Sequence, residues 1–206
     1  MSIKKQGAIE QEILQDFINA KAILRGHFIL SSGLHSDTYI QCARVLMNAQ
    51  ISSKLCHLLA QKIIDKLGKN LFDIVVSPAM GGVVVGYEMS RQLNLPSIFC
   101  ERVNGIFEFR RGFELEKNAR VLVVEDVITT GKSSLETFEL IQKCGAKIIA
   151  EACLVNRSGD KNLAEKIGVP VFSLLEIDVQ TFSEDQVPQS LKLVPAIKPG
   201  SRFLKN

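Results

Sequence analysis

The chain has 206 residues, of which 46% are hydrophobic and 23% are charged, and its formal net charge is +3. These values are typical of a globular protein with a sizeable core, and we expect a single domain over residues 1–206. The charge is too small to indicate nucleic-acid binding, although it suits small anionic substrates. The sequence contains no apolar run of the roughly 18 residues that span a bilayer, and its charged N-terminal segment lacks the apolar core of a signal peptide. We therefore expect neither a nucleic-acid partner nor a membrane partner.

The predicted elements alternate between helices and short strands. In chain order they are a helix over 10–24, two short strands around a turn at 31–33, a helix over 51–67, a strand over 73–77, a helix over 81–93, strands over 97–100 and 121–124, a helix over 133–143, and strands over 147–155 and 169–174. This alternation predicts an α/β fold, in which helices cover both faces of a parallel sheet. Ligands of such folds bind at the carboxyl ends of the strands, where residues 77–82 and 125–133 fall.

The cysteines indicate a reducing compartment. Their number is odd, they form no CxxC pair, and they lack histidines at zinc spacing. We expect mostly reduced thiols and a cytoplasmic location, with a reactive cysteine as the alternative. The five residues are Cys42, Cys56, Cys100, Cys144 and Cys153.

The strand predicted over 121–124 runs directly into two adjacent carboxylates, Glu125 and Asp126, within the sequence VLVVEDVITTGKSS. Two neighbouring carboxylates repel each other unless something bridges them. Vicinal sugar hydroxyls can do so by donating a hydrogen bond to each carboxylate, and a divalent metal ion can do so too. The pair alone leaves open the alternative of a solvated strand end.

A small loop rich in hydroxyl groups follows the acidic pair. This loop offers backbone N–H groups and hydroxyls just before a predicted helix, an arrangement that binds phosphate. Its residues are Thr129, Thr130, Gly131, Lys132 and Ser133. A helix cap by one of the hydroxyls is compatible with that role. A Walker A loop is excluded because it needs a glycine at position 126, which holds aspartate, and no GxGxxG sequence indicates a dinucleotide site.

VLVVEDVITTGKSS closely resembles the signature of the type I phosphoribosyltransferases, in which a hydrophobic strand, an acidic pair, two apolar residues and Thr-Thr-Gly occur in fixed register. The resemblance implies that the acidic pair holds the ribose hydroxyls of phosphoribosyl pyrophosphate (PRPP) and that the loop holds its 5-phosphate. SPAMGG, residues 77–82, resembles the pyrophosphate loop of the family, whose small residues let backbone N–H groups approach the diphosphate. The residues that the resemblance assigns to PRPP are Glu125, Asp126, Val127, Ile128, Thr129, Thr130, Gly131, Lys132, Ser133, Ala79 and Gly81.

Three further stretches resemble the orotate phosphoribosyltransferases in particular. SSGLHSDTYIQ, residues 31–41, resembles their N-terminal SG-x-x-S-x-x-Y segment, and VPAIKPGS, residues 194–201, resembles their C-terminal tail. LVNRSG, residues 154–159, resembles the strand end whose arginine pairs with the orotate carboxylate, so Arg157 and Thr129 are the residues implied for orotate. A planar guanidinium suits a carboxylate, a group that purines lack. Without the resemblance, a surface arginine after a strand is the alternative for Arg157.

The chain departs from the pattern of the family at three places. Ser31 and Gly81 stand where many orotate enzymes carry lysines, before the SG turn and in the pyrophosphate loop. Residues 101–118, ERVNGIFEFRRGFELEKN, are expected to form the closing catalytic loop, but they lack a histidine and an obvious catalytic lysine. We therefore expect Arg102, Arg110 and Arg111 to neutralise the leaving diphosphate.

The resemblance implies a type I phosphoribosyltransferase fold, with a small hood over about residues 1–48 and a core over about 49–206. The implied reaction converts orotate and PRPP into orotidine 5′-monophosphate and diphosphate, with Glu125 and Asp126 among the catalytic residues. Mg²⁺ is expected to arrive on PRPP without direct protein ligands, and a homodimer is expected. Two alternatives stay open: a transferase for a purine or another base, and a regulator that binds PRPP without turnover.

Overall fold

The computed structural model describes residues 7–30 and 32–199. Its helices are α1 (Ala8–Asn19), α2 (Ala43–Leu46), α3 (Ala49–Leu67), α4 (Gly81–Leu93), α5 (Lys132–Lys143), α6 (Leu163–Ile167) and α7 (Gln189–Lys192), with a 3₁₀ turn at Glu184–Gln186. Its strands are β1 (Ile23–Ile29), β2 (His35–Ile40), β3 (Ile74–Pro78), β4 (Ser97–Val103), β5 (Ile106–Phe109), β6 (Arg120–Ile128), β7 (Lys147–Asn156), β8 (Val171–Glu176), β9 (Thr181–Phe182) and β10 (Ala196–Ile197). Within these ranges, no helix is both long enough and apolar enough to cross a lipid bilayer.

The larger sheet confirms the predicted α/β fold. Its strand order is β5-β4-β3-β6-β7-β8, and only the edge pair β4–β5 is antiparallel among the pairings of this sheet. Successive side chains of β6 point to opposite faces, so Val121 and Val123 join a core with Phe138 of α5. Leu122 and Val124 join the opposite core, which also contains side chains of α3 and α4. Because both faces are buried, the central strand is apolar without interruption up to Val124.

A smaller sheet with the order β10-β1-β2-β9 forms the hood, and it takes strands from both ends of the chain. Of this sheet, the segment expected to form the hood, residues 1–48, contributes β1 and β2. The other two strands come from residues after 180, where β9 pairs with β2 and β10 pairs with β1. Helix α1 belongs to the main core instead, because Ile13 and Phe17 are buried there.

Most predicted boundaries agree with the structure to within two residues, but those of α1, β4 and β6 differ by more. Helix α4 spans the predicted residues 81–93, and α3 ends before Gly68 as expected. The first helix is shorter than predicted because Lys21 adopts a left-handed φ of 53°, and Leu24 therefore belongs to β1. Strand β6 is longer than predicted, so it includes the acidic pair rather than ending before it.

The prediction of a continuous loop over residues 101–118 is wrong for its first half. Residues 101–103 extend β4, and β5 returns antiparallel to it, with Val103 opposite Ile106. Asn104 and Gly105 form the connection, with φ angles of 51° and 88°. An Asn-Gly pair with both φ angles positive suits the tight turn of a two-residue hairpin, and this dipeptide is the signal in the sequence that indicates the hairpin.

Candidate active site

The acidic pair lies in the last residues of β6, and its two side chains point to opposite faces of the sheet. Glu125 is buried on the face covered by α5, where the Ser134 hydroxyl donates a hydrogen bond of 3.2 Å to its Oε1. Asp126 lies on the other face, beside the start of α4 and next to Gly81. Burial raises the pKa of both carboxyl groups, and the charge of Asp126 adds to the rise at Glu125. The strand pleat therefore separates two groups that the sequence places side by side.

The loop after β6 leads into the N-terminus of α5. Gly131, which has no side chain to cap the helix, precedes it with a left-handed φ of 74°. A Cβ at this position would lie 3.3 Å from Leu163 Cδ1, so both backbone and space favour glycine. Thr129, Thr130 and Lys132 are exposed around the helix start, where the Thr130 hydroxyl accepts a long hydrogen bond of 3.4 Å from the Lys132 N–H. Free N–H groups and the helix dipole make such an end suitable for an anion such as phosphate.

The pyrophosphate loop predicted at SPAMGG connects β3 to α4. The Ala79 N–H donates to the Cys100 carbonyl at 2.8 Å, and the peptide bond between Ala79 and Met80 is cis. A Cβ at Gly82 would lie 3.1 Å from the carbonyl oxygen of Val124, and one at Gly81 would lie 2.4 Å from Asp126 Oδ1. The two glycines thus allow the first turn of α4 to lie directly against the end of β6.

A cavity of about 270 Å³ lies between the hood and the carboxyl ends of β6 and β7. It brings together predicted site residues from two parts of the chain: Asp126, Val127, Thr129 and Thr130 at and after the end of β6, and Arg157 after β7. The remaining lining residues are Leu30, Ser32, Leu34, Tyr39, Ile40, Gln41, Ser158, Val179 and Thr181. The other predicted site residues lie outside this lining, namely Glu125, Ile128, Gly131, Lys132, Ser133, Ala79, Gly81 and the arginines of residues 101–118.

Arg157 is a buried cation in this cavity. Arg157 follows β7, and its backbone N–H donates a hydrogen bond of 2.9 Å to the Ile128 carbonyl. Only 7% of the surface of Arg157 is exposed. Within residues 7–30 and 32–199, its Nε has no hydrogen-bond partner and no carboxylate forms an ion pair with it. Burial lowers its pKa, because desolvation disfavours the charged form. The alternative of a surface arginine is therefore excluded, and the buried guanidinium is available to an anionic ligand.

Comparisons with known proteins agree with these features. The sequence profile of the phosphoribosyl transferase domain matches residues 45–186. Orotate phosphoribosyltransferase of Maricaulis maris is 51% identical over 193 residues, which cover 94% of this chain and 97% of the relative. The corresponding enzyme of Bartonella tribocorum is 48% identical over 192 residues, which cover 93% and 97%. The chain belongs to the orotate phosphoribosyltransferase family.

A solved orotate phosphoribosyltransferase confirms the fold at greater distance. The crystal structure of the enzyme from Aeropyrum pernix matches with a TM-score of 0.66 and 28% identity, over 80% of this chain and 93% of that one. The family membership predicted from the strand, the acidic pair and the loop is therefore confirmed. The roles of individual residues stay predictions.

The three arginines expected to act on the diphosphate differ in their surroundings. Arg102 forms an ion pair with Glu136 of α5, and its guanidinium lies 4.0 Å from the centre of the Phe107 ring. Arg111 donates two hydrogen bonds, of 3.0 and 2.9 Å, to the Glu101 carboxylate. Arg110 is exposed and has no ion pair in the described part of the chain. Among the described residues, Arg102 and Arg111 are thus paired with glutamates, whereas Arg110 forms no ion pair.

Sequence reasoning misses two groups of residues at this site. Val179 and Thr181 line the cavity from the segment around β9, whose two-residue strand carries no periodic signal. Glu151 is fully buried in β7, on the same face of the sheet as Glu125. A glutamate within the apolar run KIIAEACLV is the signal that could have revealed it.

Two parts of the family pattern lie outside the described residues. Ser31, which stands where many orotate enzymes carry a lysine, lies outside the described residues. The same holds for residues 200 and 201 at the end of the predicted C-terminal tail. The earlier part of that tail forms β10, which pairs with β1 in the hood.

Proposed function

We propose that this protein transfers ribose 5-phosphate from PRPP to orotate, which gives orotidine 5′-monophosphate and diphosphate and serves pyrimidine nucleotide synthesis. Relatives at 48–51% identity carry the name orotate phosphoribosyltransferase over almost their whole length. A transferase for a purine would gain nothing from a buried guanidinium, because purines carry no carboxylate. The likeness to adenine phosphoribosyltransferases, at 16% identity, concerns the fold alone.

The observation that carries the proposal is Arg157. An ionised group that is buried without a partner costs several kcal/mol, and a ligand that supplies the opposite charge recovers that energy. The orotate carboxylate can accept two parallel hydrogen bonds from the planar guanidinium. Tyr39 and Thr129 line the same cavity of about 270 Å³, which supports a role for both at the same ligand. We assign Arg157 to the carboxylate and Thr129 to the pyrimidine ring of orotate.

The residues at the end of β6 would bind PRPP from two sides. The N-terminus of α5, with residues 129–133, would hold the 5-phosphate through backbone N–H groups. Asp126 faces the cavity and would accept hydrogen bonds from the ribose hydroxyls, while Glu125 would support the sugar from the α5 side. Val127 and Ile128 would fix the register of these groups through their ladder with β7. Residues 79–81 would lie against the diphosphate at the start of α4.

The proposed chemistry needs position more than a protein nucleophile. The orotate ring nitrogen forms a bond to C1 of the ribose as the bond from C1 to the diphosphate oxygen breaks. The diphosphate leaves with the bonding electrons, and the proton of the ring nitrogen is released to solvent. Asp126 would stabilise the positive charge that develops on the sugar, and Arg157 would hold the orotate nitrogen in line. Arg110 would neutralise part of the diphosphate charge, because Arg102 and Arg111 are already paired with glutamates. Closure of the segment that contains these arginines would exclude water.

Mg²⁺ would enter the site bound to PRPP rather than to protein side chains. Within residues 7–30 and 32–199, no group of three or more His, Cys, Asp or Glu side chains is arranged to hold a metal ion. Mg²⁺ commonly keeps its waters and binds substrate phosphates rather than an all-protein cage. Bound to the diphosphate, Mg²⁺ would supply charge neutralisation that eases departure of this group.

The assembly expected for this protein is a cytoplasmic homodimer, with the whole chain acting as one domain. An exposed apolar row supports the dimer: Met80, Val84 and Tyr87 are 76%, 49% and 66% exposed at successive turns from the pyrophosphate loop along α4. A patch of this kind on one helix face suits a contact with a second copy of the chain. Five free cysteines agree with a reducing compartment.

The test follows the absorbance of orotate with purified protein, PRPP and Mg²⁺. The wild type is expected to consume orotate, and Arg157→Ala is expected to lose about 100-fold in kcat/KM for orotate, because a charged hydrogen-bonded contact contributes roughly 3 kcal/mol. Arg120→Ala, at the opposite end of β6, is the matched control and should keep full activity. Binding of PRPP without consumption of orotate would instead support a regulator, and equal losses in both variants would refute the role of Arg157.

A further inference from the structure

Glu151 is a buried acid that the proposed mechanism does not use. It lies in β7 opposite Val123 of β6, two residues before Cys153, which lies opposite Glu125. The even spacing places Glu151 and Glu125 on the same face of the sheet, diagonally across two neighbouring strands. Glu151 is 0% exposed, and neither of its carboxylate oxygens has a hydrogen-bond partner in the described residues. An acid in this position needs a physical explanation, because unpaired buried carboxylates are costly.

Among residues 7–30 and 32–199, the groups around Glu151 offer it no cationic partner. On α5, the Ser134 hydroxyl donates to Glu125, and Glu136 is paired with Arg102 of β4. On β8, the residue opposite Glu151 is Val171. On its own strand, Cys153 stays a neutral thiol, because burial and then the charge of Glu151 raise its pKa well above the ordinary value. The guanidinium of Arg102 lowers the pKa of Glu125, but this effect is smaller than the effect of burial.

Two carboxyl groups in one apolar compartment cannot both ionise at neutral pH without a large electrostatic cost. Burial raises the pKa of Glu151 to about 7. Burial, and after it the charge of Glu151, raise the pKa of Glu125 well above its ordinary value. The Ser134 hydroxyl acts in the opposite direction on the pKa of both acids, which indicates that it lies close to both. The pair therefore retains a proton in the pH range in which an isolated glutamate would have lost it.

We propose that Glu151 is a positioning residue for the reaction, which shares one proton with Glu125 and so decides when the Glu125 carboxylate can accept hydrogen bonds from the ribose. This inference rests on the proposed function, because it takes Glu125 as a contact of the sugar. The proton stays within the pair or passes to solvent, so the step involves no oxidation or reduction. Glu151 touches no substrate, since it lies one pleat deeper in the sheet than Glu125.

The direction of the effect follows from the charge. An ionised Glu151 opposes ionisation of Glu125, so replacing Glu151 by glutamine removes the like charge and lowers the pKa of Glu125. The acid limb of kcat/KM for PRPP reports the essential base of the free enzyme. In Glu151→Gln this limb is expected to move to lower pH by about one unit, which is a tenfold gain relative to the wild type at acid pH. The plateau value of kcat at high pH is expected to change less than about threefold, because Glu151 does not contact the substrate.

The experiment compares pH profiles of the wild type, Glu151→Gln, Glu151→Leu and Glu139→Gln, with thermal unfolding of each variant as a check of folding. Glu139→Gln makes the same exchange on the exposed side of α5 and should leave the limb in place. Glu151→Leu removes the charge without adding an amide donor and should move the limb in the same direction as Glu151→Gln. PRPP and orotate titrate identically in the assays of all four proteins, so a difference between the pH profiles reports on the pair Glu125 and Glu151.

An acid limb that stays fixed in both Glu151 variants, in proteins that fold and turn over orotate, would overturn the inference and leave the proposed function intact. Infrared spectroscopy gives a second readout that needs no turnover. The wild type should show a protonated carboxyl band at neutral pH that weakens in Glu151→Gln and persists in Glu139→Gln. An unchanged band in Glu151→Gln would count against the shared proton, even for variants that are too unstable for kinetics.

Discussion

Replacing Gly81 by alanine should disable the enzyme without unfolding it. A Cβ at this position would lie 2.4 Å from Oδ1 and 2.6 Å from Oδ2 of Asp126, whereas Cβ contacts shorter than 3.0 Å essentially do not occur. The carboxylate of Asp126 must therefore retreat by at least about 0.6 Å, toward the cavity that it lines. Because Asp126 is only partly buried, its side chain can move without disturbing the core.

The expected magnitude follows from how sensitive positioned groups are to displacement. A shift of roughly 1 Å can cost about 100-fold in rate, which corresponds to about 2.7 kcal/mol of lost transition-state stabilisation. Alanine is favoured over glycine by up to about 1 kcal/mol within a helix, and Gly81 opens α4. We therefore expect kcat/KM for PRPP to fall about 100-fold while the free energy of unfolding changes by less than about 1 kcal/mol.

A double-mutant cycle isolates the contact. In an Asp126→Ala background the added methyl group meets no carboxylate, so Gly81→Ala should cost little further activity, and the coupling between the two sites should approach about 2 to 3 kcal/mol. Gly86→Ala is the matched control: its Cβ would lie 1.9 Å from Ser77 Oγ, deep in the core, so it should reduce stability by about 1 to 3 kcal/mol through overpacking. Full losses of activity from Gly81→Ala in both backgrounds would refute the argument.

Two further predictions concern stability and chemical reactivity. Asn48→Ala should lower the free energy of unfolding by about 1 kcal/mol and the Tm by roughly 2 to 4 °C, because the Asn48 side chain accepts hydrogen bonds of 3.0 and 3.1 Å from two amides in the first turn of α3. Asn48→Asp keeps the acceptor and should retain most of the stability, and equal losses in the two variants would contradict the capping role. Titration of the native protein with dithionitrobenzoate should find one readily reactive thiol, which Cys144→Ser should remove, because Cys144 is partly exposed and the other four thiols are buried. Burial raises the pKa values of the buried thiols, to about 12 at Cys56 and about 11 at Cys100, and a second fast thiol in the native protein would contradict the prediction.

The sequence is most informative where one local pattern determines both structure and chemistry. The bounds of α4 and the placement of the loop at residues 129–133 follow from glycines and from the run of apolar residues before Glu125. The opposite orientation of Glu125 and Asp126 follows from the strand period once β6 is known to continue through the acidic pair. The turn at Asn104 and Gly105 is also visible in the sequence, although the family resemblance alone predicts a loop there.

Other features depend on contacts between distant parts of the chain and carry no local signal. Arg157 shares its cavity with residues of the hood strands β2 and β9, and β9 has only two residues. The neighbourhood of Glu125 and Glu151 depends on the register between β6 and β7, which includes an irregularity between Val121 and Leu122. Neither hydrophobic periodicity nor residue spacing specifies such a register.

The hood has a consequence for the order of events during synthesis. Its strand β1 is made early, but its partner β10 follows about 170 residues later, with His27 opposite Ala196. While the ribosome is still completing the chain, the six strands of the larger sheet can assemble before the hood is finished, since folding generally proceeds from the N-terminus as the chain emerges. The wall that Val179 and Thr181 contribute is added only near the end of translation. A nascent chain can thus form its proposed phosphate-binding loop well before the cavity for a pyrimidine is complete. The cavity is therefore one of the last parts of the protein to form during synthesis.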